Sequence, residues 1–143
     1  IDVSGSMVSH FPLVAGFVDT LRDYPIRIYS FDTRVRAVDP DIFSKGHITG
    51  GGGTDFNCVI SDFIANDELA AALVFTDGYG ELSEMTGKKL RMSRKNMYAV
   101  FLEEGDNNNT TSILKKFARD SLVIRVKDSY YMIKQEQIQW ANS

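Results

Sequence analysis

The sequence predicts an α/β domain of three layers, in which a doubly wound, mostly parallel sheet carries helices on both faces. Three observations lead to this fold class. Apolar periodicity alternates between helix-like and strand-like segments along the 143 residues, and two of the strand-like segments are uniformly apolar. The length suits a single domain. A composition of 43% hydrophobic and 24% charged residues is that of a globular protein and excludes a disordered chain.

A helix and a hairpin are predicted first. Four apolar residues have the spacing of an amphipathic helix, namely Val14, Phe17, Val18 and Leu21. Pro25 ends this helix. Residues 26–31 ("IRIYSF") predict a strand. Residues 34–39 ("RVRAVD"), with Val35 and Val38, predict a short edge strand that pairs back in a hairpin.

The middle of the chain predicts a loop, a helix and a buried strand. A glycine-rich loop at 46–56 ("GHITGGGGTDF") leads into the clearest apolar stripe, formed by Phe56, Val59, Ile60, Phe63 and Ile64. Residues 69–78 ("LAAALVFTDG") form a continuous apolar run, which predicts a parallel strand buried on both faces. A basic segment at 83–95 shows no clear period.

The last third predicts a strand, a loop, a helix, a strand and a tail. Residues 97–104 ("MYAVFLEE") read as a buried strand, and 105–111 ("GDNNNTT") as a polar loop. Residues 112–120 ("SILKKFARD") are expected to form a helix and 122–128 ("LVIRVKD") the final strand. The tail at 129–140 is expected to pack back on the domain through Tyr130, Tyr131 and Trp140.

Oxygen-bearing side chains follow the predicted strands at the points where they end. "DVSGS" follows the first strand, "GGGGTD" precedes the second helix and "FTDG" ends the central apolar strand. Ligand sites in an open α/β sheet form at the carboxyl ends of strands, so we expect these segments to meet. They supply two carboxylates and three hydroxyls, from Asp2, Ser4, Ser6, Thr54 and Asp77.

This oxygen-only set predicts a Mg²⁺ site, which Mn²⁺ or Ca²⁺ could also fill. Hard cations prefer oxygen ligands, and two carboxylates balance the charge of a divalent ion. Each segment alone is more typical of a helix N-cap, and Thr54 and Asp55 in particular could cap the second helix. The coincidence of three such segments at strand ends favours the metal site.

"DVSGSM", the Thr of "GGGGTDF" and the Asp of "FTDGYGE" resemble the three parts of a metal-ion-dependent adhesion site in von Willebrand factor A-type domains. The resemblance covers residues 1–143 as one domain. "GGGGTDF" with "TDGYGE" is more similar to the intracellular prokaryotic branch than to integrin-type or plasma-protein members. The family implies the strand order 3-2-1-4-5-6, with strand 3 antiparallel at the edge and Mg²⁺ at the top of the sheet.

The resemblance also implies a function, which is binding without turnover. Ser4, Ser6 and Thr54 would contact the metal directly or through water, and Asp2 and Asp77 would act through water and charge. One metal position would stay open for a Glu or Asp of a protein partner. The chain would then be a Mg²⁺-dependent protein-interaction module and not an enzyme. The resemblance to intracellular members also implies a cytoplasmic location. Such members often work beside ring-forming ATPases or metallopeptidase-like domains, which the resemblance implies as partners here.

Asp55 and Glu81 lie next to the residues that carry the resemblance, and their roles stay open. Either carboxylate could accept a hydrogen bond from a metal ligand and so tune the site. The alternative, equally supported by the sequence, is a helix cap for Asp55 and a solvated position on the rim for Glu81.

Two other functions compete with the binding module. The first is a phosphohydrolase of haloacid-dehalogenase type, which would need Asp-x-Asp after the first strand. Here Ser4 takes the second position of that motif. A serine cannot serve as a general acid near neutral pH. An RNA-binding module could use the basic segment, whose cations are Lys88, Lys89, Arg91, Arg94 and Lys95. A solvated helix face explains that segment more simply.

Charge and residue counts exclude several further classes. A net charge of -3 gives no overall attraction to nucleic acid or anionic lipid, and no apolar run approaches the ~20 residues of a membrane span. Cys58 is the one cysteine, which excludes an internal disulfide and a Cys-based zinc site and predicts a buried structural thiol. His10 and His47 stand in no distinctive motif and are expected at the surface.

The first strand is expected to be incomplete within this sequence. A central strand needs about five residues to span a sheet, and only Ile1 precedes Asp2. We therefore expect that most of this strand comes before Ile1 in a longer chain, or that another segment fills the gap.

Overall fold

The described residues, 1–104 and 112–126 of a computed structural model, contain both strands and helices. The strands are β1 (Tyr29–Phe31), β2 (Val35–Ala37), β3 (Ala71–Thr76), β4 (Asn96–Glu104) and β5 (Asp120–Val126). The helices are α1 (Phe11–Thr20), α2 (Pro40–Ser44), α3 (Phe56–Ala65) and α4 (Glu84–Ser93). Two 3₁₀ turns cover Gly5–His10 and Ile113–Lys116.

The fold is mixed α/β, with a parallel sheet of three strands at its centre. Strands β3, β4 and β5 lie side by side in that order, with Val74 opposite Ala99 and Val100 opposite Leu122. Strands β1 and β2 pair antiparallel, with Ser30 opposite Arg36, which confirms the predicted hairpin.

The core lies on both faces of the parallel sheet. In β4, Ala99 and Phe101 pack in a cluster with residues of α3 and α4, including Ile60 and Leu90. The alternate residues of the same strand, Val100 and Leu102, pack in a second cluster, whose helical members from α1 are Val14 and Val18. Because successive strand residues point to opposite faces, this division places helices on the two sides of the sheet.

The first three residues are hydrogen-bonded to two strands at once. The Asp2 N–H donates to the carbonyl of Phe75 in β3 at 2.9 Å. On the other side, the Phe31 N–H of β1 donates to the Ile1 carbonyl at 2.9 Å, and the Val3 N–H donates to the Phe31 carbonyl at 2.8 Å. This pairing brings the segment that follows Asp2 beside the carboxyl ends of β1 and β3.

The basic segment at 83–95 contains a helix that the sequence analysis missed. Helix α4 begins after Ser83, whose hydroxyl accepts the Thr86 N–H at 3.2 Å. Among its residues only Gly87 and Leu90 are buried. An apolar stripe of one leucine and one glycine is too narrow to produce a recognisable period.

Helix α2 was not predicted either. It follows Asp39, whose carboxylate accepts the Asp41 N–H at 2.9 Å, and Pro40 takes the first helical position. Among its five residues only Phe43 is buried. A helix this short shows no periodicity, although its capping residues carry a start signal.

The predicted helix at 112–120 is wrong. The chain there forms only a 3₁₀ turn, and β5 already begins at Asp120. The Arg119 N–H donates to the Met97 carbonyl at 2.7 Å, so the chain is aligned with β4 before the strand starts. Strand pairing therefore overrides the local helical spacing of the apolar residues.

Two predicted strands differ in extent from the observed ones. The strand expected at 26–31 is reduced to the three residues of β1. The expectation that β3 is buried on both faces is wrong for its first half, where Ala71 and Leu73 are exposed. Helix α1 packs over the second half, with the rings of Phe17 and Phe75 5.5 Å apart.

Some predictions lie outside the described residues, namely the polar loop at 105–111, the last two residues of the strand at 122–128 and the packing of Tyr130, Tyr131 and Trp140. Within the described ranges, no helix combines the length and the apolar character that crossing a membrane requires.

Candidate metal site

Asp2 is a fully buried carboxylate held by two hydrogen bonds. Its exposed fraction is 0%. Oδ1 accepts the Ser4 N–H at 2.9 Å, and Oδ2 accepts the Thr76 hydroxyl at 2.7 Å. Each oxygen keeps a further lone pair, since a carboxylate offers about four acceptor positions. The carboxylate is thus fixed in direction without being saturated.

The hydroxyls of Ser4 and Ser6 lie side by side next to this carboxylate. Their Oγ atoms are 3.3 Å apart, with Ser4 buried and Ser6 exposed. Two neighbouring oxygens in an octahedral Mg²⁺ shell with bonds of 2.0–2.1 Å would be about 2.9 Å apart. A small adjustment of either hydroxyl would therefore let both contact one ion.

The glycine loop packs backbone against backbone on the segment that carries these serines. The Gly51 N–H donates to the Val3 carbonyl at 2.9 Å, and the Gly5 N–H donates to the Gly52 carbonyl at 3.3 Å. A Cβ on Gly50 would lie 2.4 Å from the Val3 carbonyl oxygen and 2.5 Å from Val3 Cγ2. Only glycine at position 50 allows this approach.

The loop after β3 joins the other two segments. The Gly78 N–H donates to Thr76 Oγ1 at 3.0 Å, and the Tyr79 N–H donates to Asp77 Oδ1 at 3.2 Å. Farther along, the Glu81 N–H donates to the Thr54 carbonyl at 3.3 Å. Three loops are thereby tied together by hydrogen bonds at one edge of the fold.

A second buried acid, Asp77, affects the ionisation of Asp2. Asp77 is only 7% exposed. Burial raises the pKa of Asp2 and the nearby charge of Asp77 adds to the rise, whereas hydrogen bonds from Ser4 and Thr76 oppose it. A bound cation would stabilise the two buried carboxylates, which otherwise repel each other.

The five predicted ligands are brought together to different degrees. Asp2 accepts the Ser4 N–H, and the Ser4 hydroxyl lies next to that of Ser6. Thr76, the residue before Asp77, donates its hydroxyl to Asp2. The Thr54 carbonyl accepts the Glu81 N–H of the loop after β3, and among the described residues no hydrogen bond joins the Thr54 hydroxyl to the other four side chains.

The residues present fit a hard cation that keeps several waters. Within residues 1–104 and 112–126, no three His, Cys, Asp or Glu side chains are grouped so that they could hold a metal ion. A cation at this edge would therefore depend on the hydroxyls of Ser4, Ser6 and Thr54 as well as on two carboxylates. That donor set is suited to Mg²⁺, which retains water and rarely occupies an all-protein cage.

Asp55 and Glu81 differ in position. Asp55 caps α3, because its Oδ1 accepts both the Asn57 N–H and the Asn57 side-chain amide at 2.9 Å. Glu81 has an exposed side chain, and its backbone forms an isolated parallel bridge with Asp55. Asp55 therefore serves as the helix cap, and the Glu81 side chain is solvated.

Asp32 is a buried carboxylate at the site's edge that the sequence analysis missed. It is 5% exposed, and its Oδ1 accepts the N–H groups of Thr33 and Arg34 at 2.7 and 3.1 Å and the Arg36 guanidinium at 3.2 Å. A Cβ on Gly52 would lie 3.4 Å from its Oδ2. The available signal was the position of this aspartate in the turn between the two predicted strands of the hairpin.

Replacing Asp32 with asparagine should lower the free energy of unfolding by about 1–2 kcal/mol at pH 7. Burial alone would raise the pKa of Asp32, but the backbone donors of Arg34 and Thr33 and the charge of Arg36 bring it below its usual value. The native state therefore binds this proton less readily than the unfolded chain. The stabilisation is present above about pH 4 and is lost as the pH falls through the native pKa.

Urea denaturation at pH 7 and at pH 3 checks this expectation. The difference between the parent and Asp32→Asn should shrink at the lower pH. Asp62→Asn, on an exposed position of α3, makes the same charge change and should leave stability unchanged. A deficit of equal size at both pH values would contradict the electrostatic explanation.

The cations of the basic segment are mostly engaged within the chain. Lys88 pairs with Glu84 at 3.3 Å. Arg91 lies over the Phe117 ring, 4.6 Å from its centroid. Lys95 donates to the carbonyls of Phe63, at 2.9 Å, and Asn66, at the end of α3. The side chains of Lys89 and Arg94 are exposed. These contacts give the segment a structural role.

The sequence analysis predicted that the two histidines lie at the surface and that the cysteine is buried. His10 is 2% exposed, so the expectation of a surface position was wrong for it, whereas His47 is exposed. His10 ends the first 3₁₀ turn where α1 begins, which places it inside the fold. The Cys58 thiol is half-buried and donates to the Asp55 carbonyl at 3.0 Å. Burial and the charge of Asp55 raise its pKa, as expected of an unreactive thiol.

Comparisons with known proteins agree with the α/β fold. The chain is similar in structure to an aerotolerance-related membrane protein from Bacteroides fragilis NCTC 9343, crystallised with multiple mutations to serines. The TM-score is 0.57 and the sequence identity 16%, over 94% of this chain and 92% of that chain. No protein-family model matches the sequence, and no significant match exists among curated proteins. At this identity the likeness shows a shared fold and nothing further.

Proposed function

We propose that this chain is a von Willebrand factor A-type domain that binds a protein partner through Mg²⁺. Asp2, Ser4, Ser6, Thr54 and Asp77 would hold the ion. The observation that carries the proposal is the adjacency of the Ser4 and Ser6 hydroxyls, 3.3 Å apart, beside the buried Asp2 carboxylate. The structural likeness to the Bacteroides fragilis protein supports the fold part of the proposal.

The hydrogen bonds of residues 1–3 support the strand order of this family. Counting residues 1–3 as strand 1 makes β1 and β2 the second and third strands and β3 to β5 the fourth to sixth. Residues 1–3 bond to β1 on one side and β3 on the other. With this count, the two separate sheets would join in the order 3-2-1-4-5-6, with the antiparallel strand at the edge.

Each residue would have a limited task in capturing a partner. Bound Mg²⁺ supplies an electrophilic position that a carboxylate can occupy. The hydroxyls of Ser4, Ser6 and Thr54 would occupy ligand positions without adding charge. Asp2 and Asp77 would balance the charge of the ion, and their burial would leave the exposed side of the site to the partner. A Glu or Asp is the partner side chain that such a site selects.

The position of Asp2 disfavours the phosphohydrolase alternative. A nucleophilic aspartate must reach a phosphorus atom, and Asp2 has no exposed surface. Both its oxygens already accept hydrogen bonds from within the chain. The RNA-binding alternative is disfavoured as well, because Lys88, Arg91 and Lys95 are engaged within the chain. The proposal is therefore a binding module without turnover.

The proposal extends to setting as well as chemistry. Three further parts of the proposal rest on the sequence resemblance alone. They are a cytoplasmic location, a relation to the intracellular prokaryotic branch, and a role beside a ring-forming ATPase or a metallopeptidase-like domain. The site geometry supports the cation site, and the carboxylate-bearing partner follows from that proposed site.

Proton relaxation of water around bound Mn²⁺ tests both halves of the proposal. We expect the protein to bind Mn²⁺ in competition with Mg²⁺ and to enhance the relaxation of water. Millimolar N-acetyl-glutamate N′-methylamide should lower that enhancement, because its carboxylate displaces a metal-bound water. The glutamine analogue is the matched control and should have no effect. Absence of Mn²⁺ binding would overturn the metal site, and equal effects of the two probes would overturn carboxylate capture.

A further inference from the structure

Thr76 occupies an unusual position between the two acidic residues of the candidate site. It is fully buried and is the last residue of β3, directly before Asp77. Its hydroxyl donates to Asp2 Oδ2 at 2.7 Å and accepts the Gly78 N–H at 3.0 Å. A hydroxyl has one proton. In the hydrogen bond with the Gly78 N–H, Thr76 Oγ1 is the acceptor, so the hydroxyl proton remains available for the bond to Asp2.

These two hydrogen bonds connect elements that are distant in the sequence. Asp2 belongs to the segment bonded between β1 and β3, whereas Gly78 belongs to the loop that orients Asp77. Asp2 in turn holds the Ser4 N–H at 2.9 Å. A continuous chain of hydrogen bonds therefore runs from the Gly78 amide through Thr76 and Asp2 to the turn that presents the serine hydroxyls.

We propose that Thr76 is a positioning residue, whose hydroxyl sets the direction of the Asp2 carboxylate and aligns the Asp77 loop with it for a divalent cation. This inference rests on the proposed Mg²⁺ site and adds a residue outside the five ligands. The hydroxyl stabilises the ionised form of Asp2, in which both oxygens are acceptors. Loss of a hydrogen bond behind a metal ligand commonly weakens metal affinity by about 10–100-fold.

Thr76→Val is the direct test, because valine has nearly the shape of threonine and lacks the hydroxyl. Isothermal titration with Mg²⁺ should show a loss of about 10–100-fold in affinity. Thr76→Ser should restore the affinity to within about threefold, since it keeps the hydroxyl that orients Asp2. Ser30→Ala removes another buried strand hydroxyl, from β1, and should leave the affinity unchanged.

Amide hydrogen exchange in the metal-free protein gives a readout that is independent of metal binding. In Thr76→Val, the Gly78 amide loses its acceptor and should exchange faster. The Ser4 amide should also exchange faster, because an Asp2 carboxylate without its Thr76 bond no longer holds it firmly. Thr76→Ser should protect both amides as the parent does.

The outcomes separate this inference from the proposed function. A parent protein that binds no Mg²⁺ would overturn the metal site. The exchange rate of the Ser4 amide would still show whether Thr76 positions Asp2. Unchanged exchange at Ser4 in Thr76→Val, or unchanged Mg²⁺ affinity in a folded variant, would overturn the positioning role. Thr76→Ala serves the same comparison if the valine variant does not fold.

Discussion

Replacing Asp77 with asparagine should lower the affinity for Mg²⁺ by about 100-fold or more while leaving the fold intact. Asparagine keeps the size of the side chain and an oxygen that can accept the Tyr79 N–H, now at 3.2 Å from Asp77 Oδ1. What the change removes is one of two buried negative charges next to the proposed ion. Isothermal titration and thermal unfolding on the same samples measure the two effects.

Asp62→Asn is the matched control for this experiment. Asp62 lies on an exposed position of α3, so its replacement changes the net charge equally without touching the site. Parent-like Mg²⁺ affinity in Asp77→Asn would remove Asp77 from the ligand set. Asp77 is a cleaner target than Asp2, because Asp2→Ala would leave the Thr76 hydroxyl and the Ser4 amide without their acceptor.

Gly50→Ala should have the second large effect, on stability and metal affinity together. The new Cβ would be placed 2.4 Å from the Val3 carbonyl oxygen, so the loop must move away from the segment between Asp2 and Ser4. Overpacking and the loss of the hydrogen bond from Gly51 to Val3 should together cost about 3 kcal/mol of unfolding free energy. We expect Mg²⁺ affinity to fall by about tenfold or more, because the displaced loop carries Thr54.

Urea denaturation and Mg²⁺ titration of Gly50→Ala and Gly53→Ala side by side measure this effect. A Cβ on Gly53 meets no atom within 4 Å, so the second variant makes the same chemical change in the same loop without the clash. Equal stabilities and equal affinities in the two variants would show that the close approach at Gly50 is unimportant.

The elements that were predictable from the sequence are those in which burial imposes a regular pattern. Helix α3 has three buried apolar residues on one side, Phe56, Ile60 and Phe63, and its stripe was recognised. Helix α4 was missed because its inward side consists of Gly87 and Leu90. A Cβ on Gly87 would lie 2.3 Å from the Phe117 ring, so an aromatic from another segment supplies the apolar surface that the helix lacks.

The proximity of Asp2, Ser4 and Ser6 was predictable from the sequence, whereas the residues that hold them in place were not. Asp2, Ser4 and Ser6 could be grouped because they are adjacent in the sequence and follow a strand. The link between Thr76 and Asp2 spans 74 positions, and a threonine within an apolar strand resembles any other strand residue. Asp32 is a different case, because its hydrogen-bond donors all lie within four positions of it, and it was overlooked although its role is local.

The burial of Asp2 has a consequence for how this protein would respond to its surroundings. A carboxylate with no exposed surface is costly to ionise in the metal-free state, and burial accordingly raises its pKa. An ion that binds the native chain but not the unfolded one would add about 2.7 kcal/mol of stability at a free concentration 100 times its dissociation constant. Resistance to heat and to proteolysis would then rise with the supply of Mg²⁺. The lifetime of the folded molecule would be set partly by ion availability, apart from any partner.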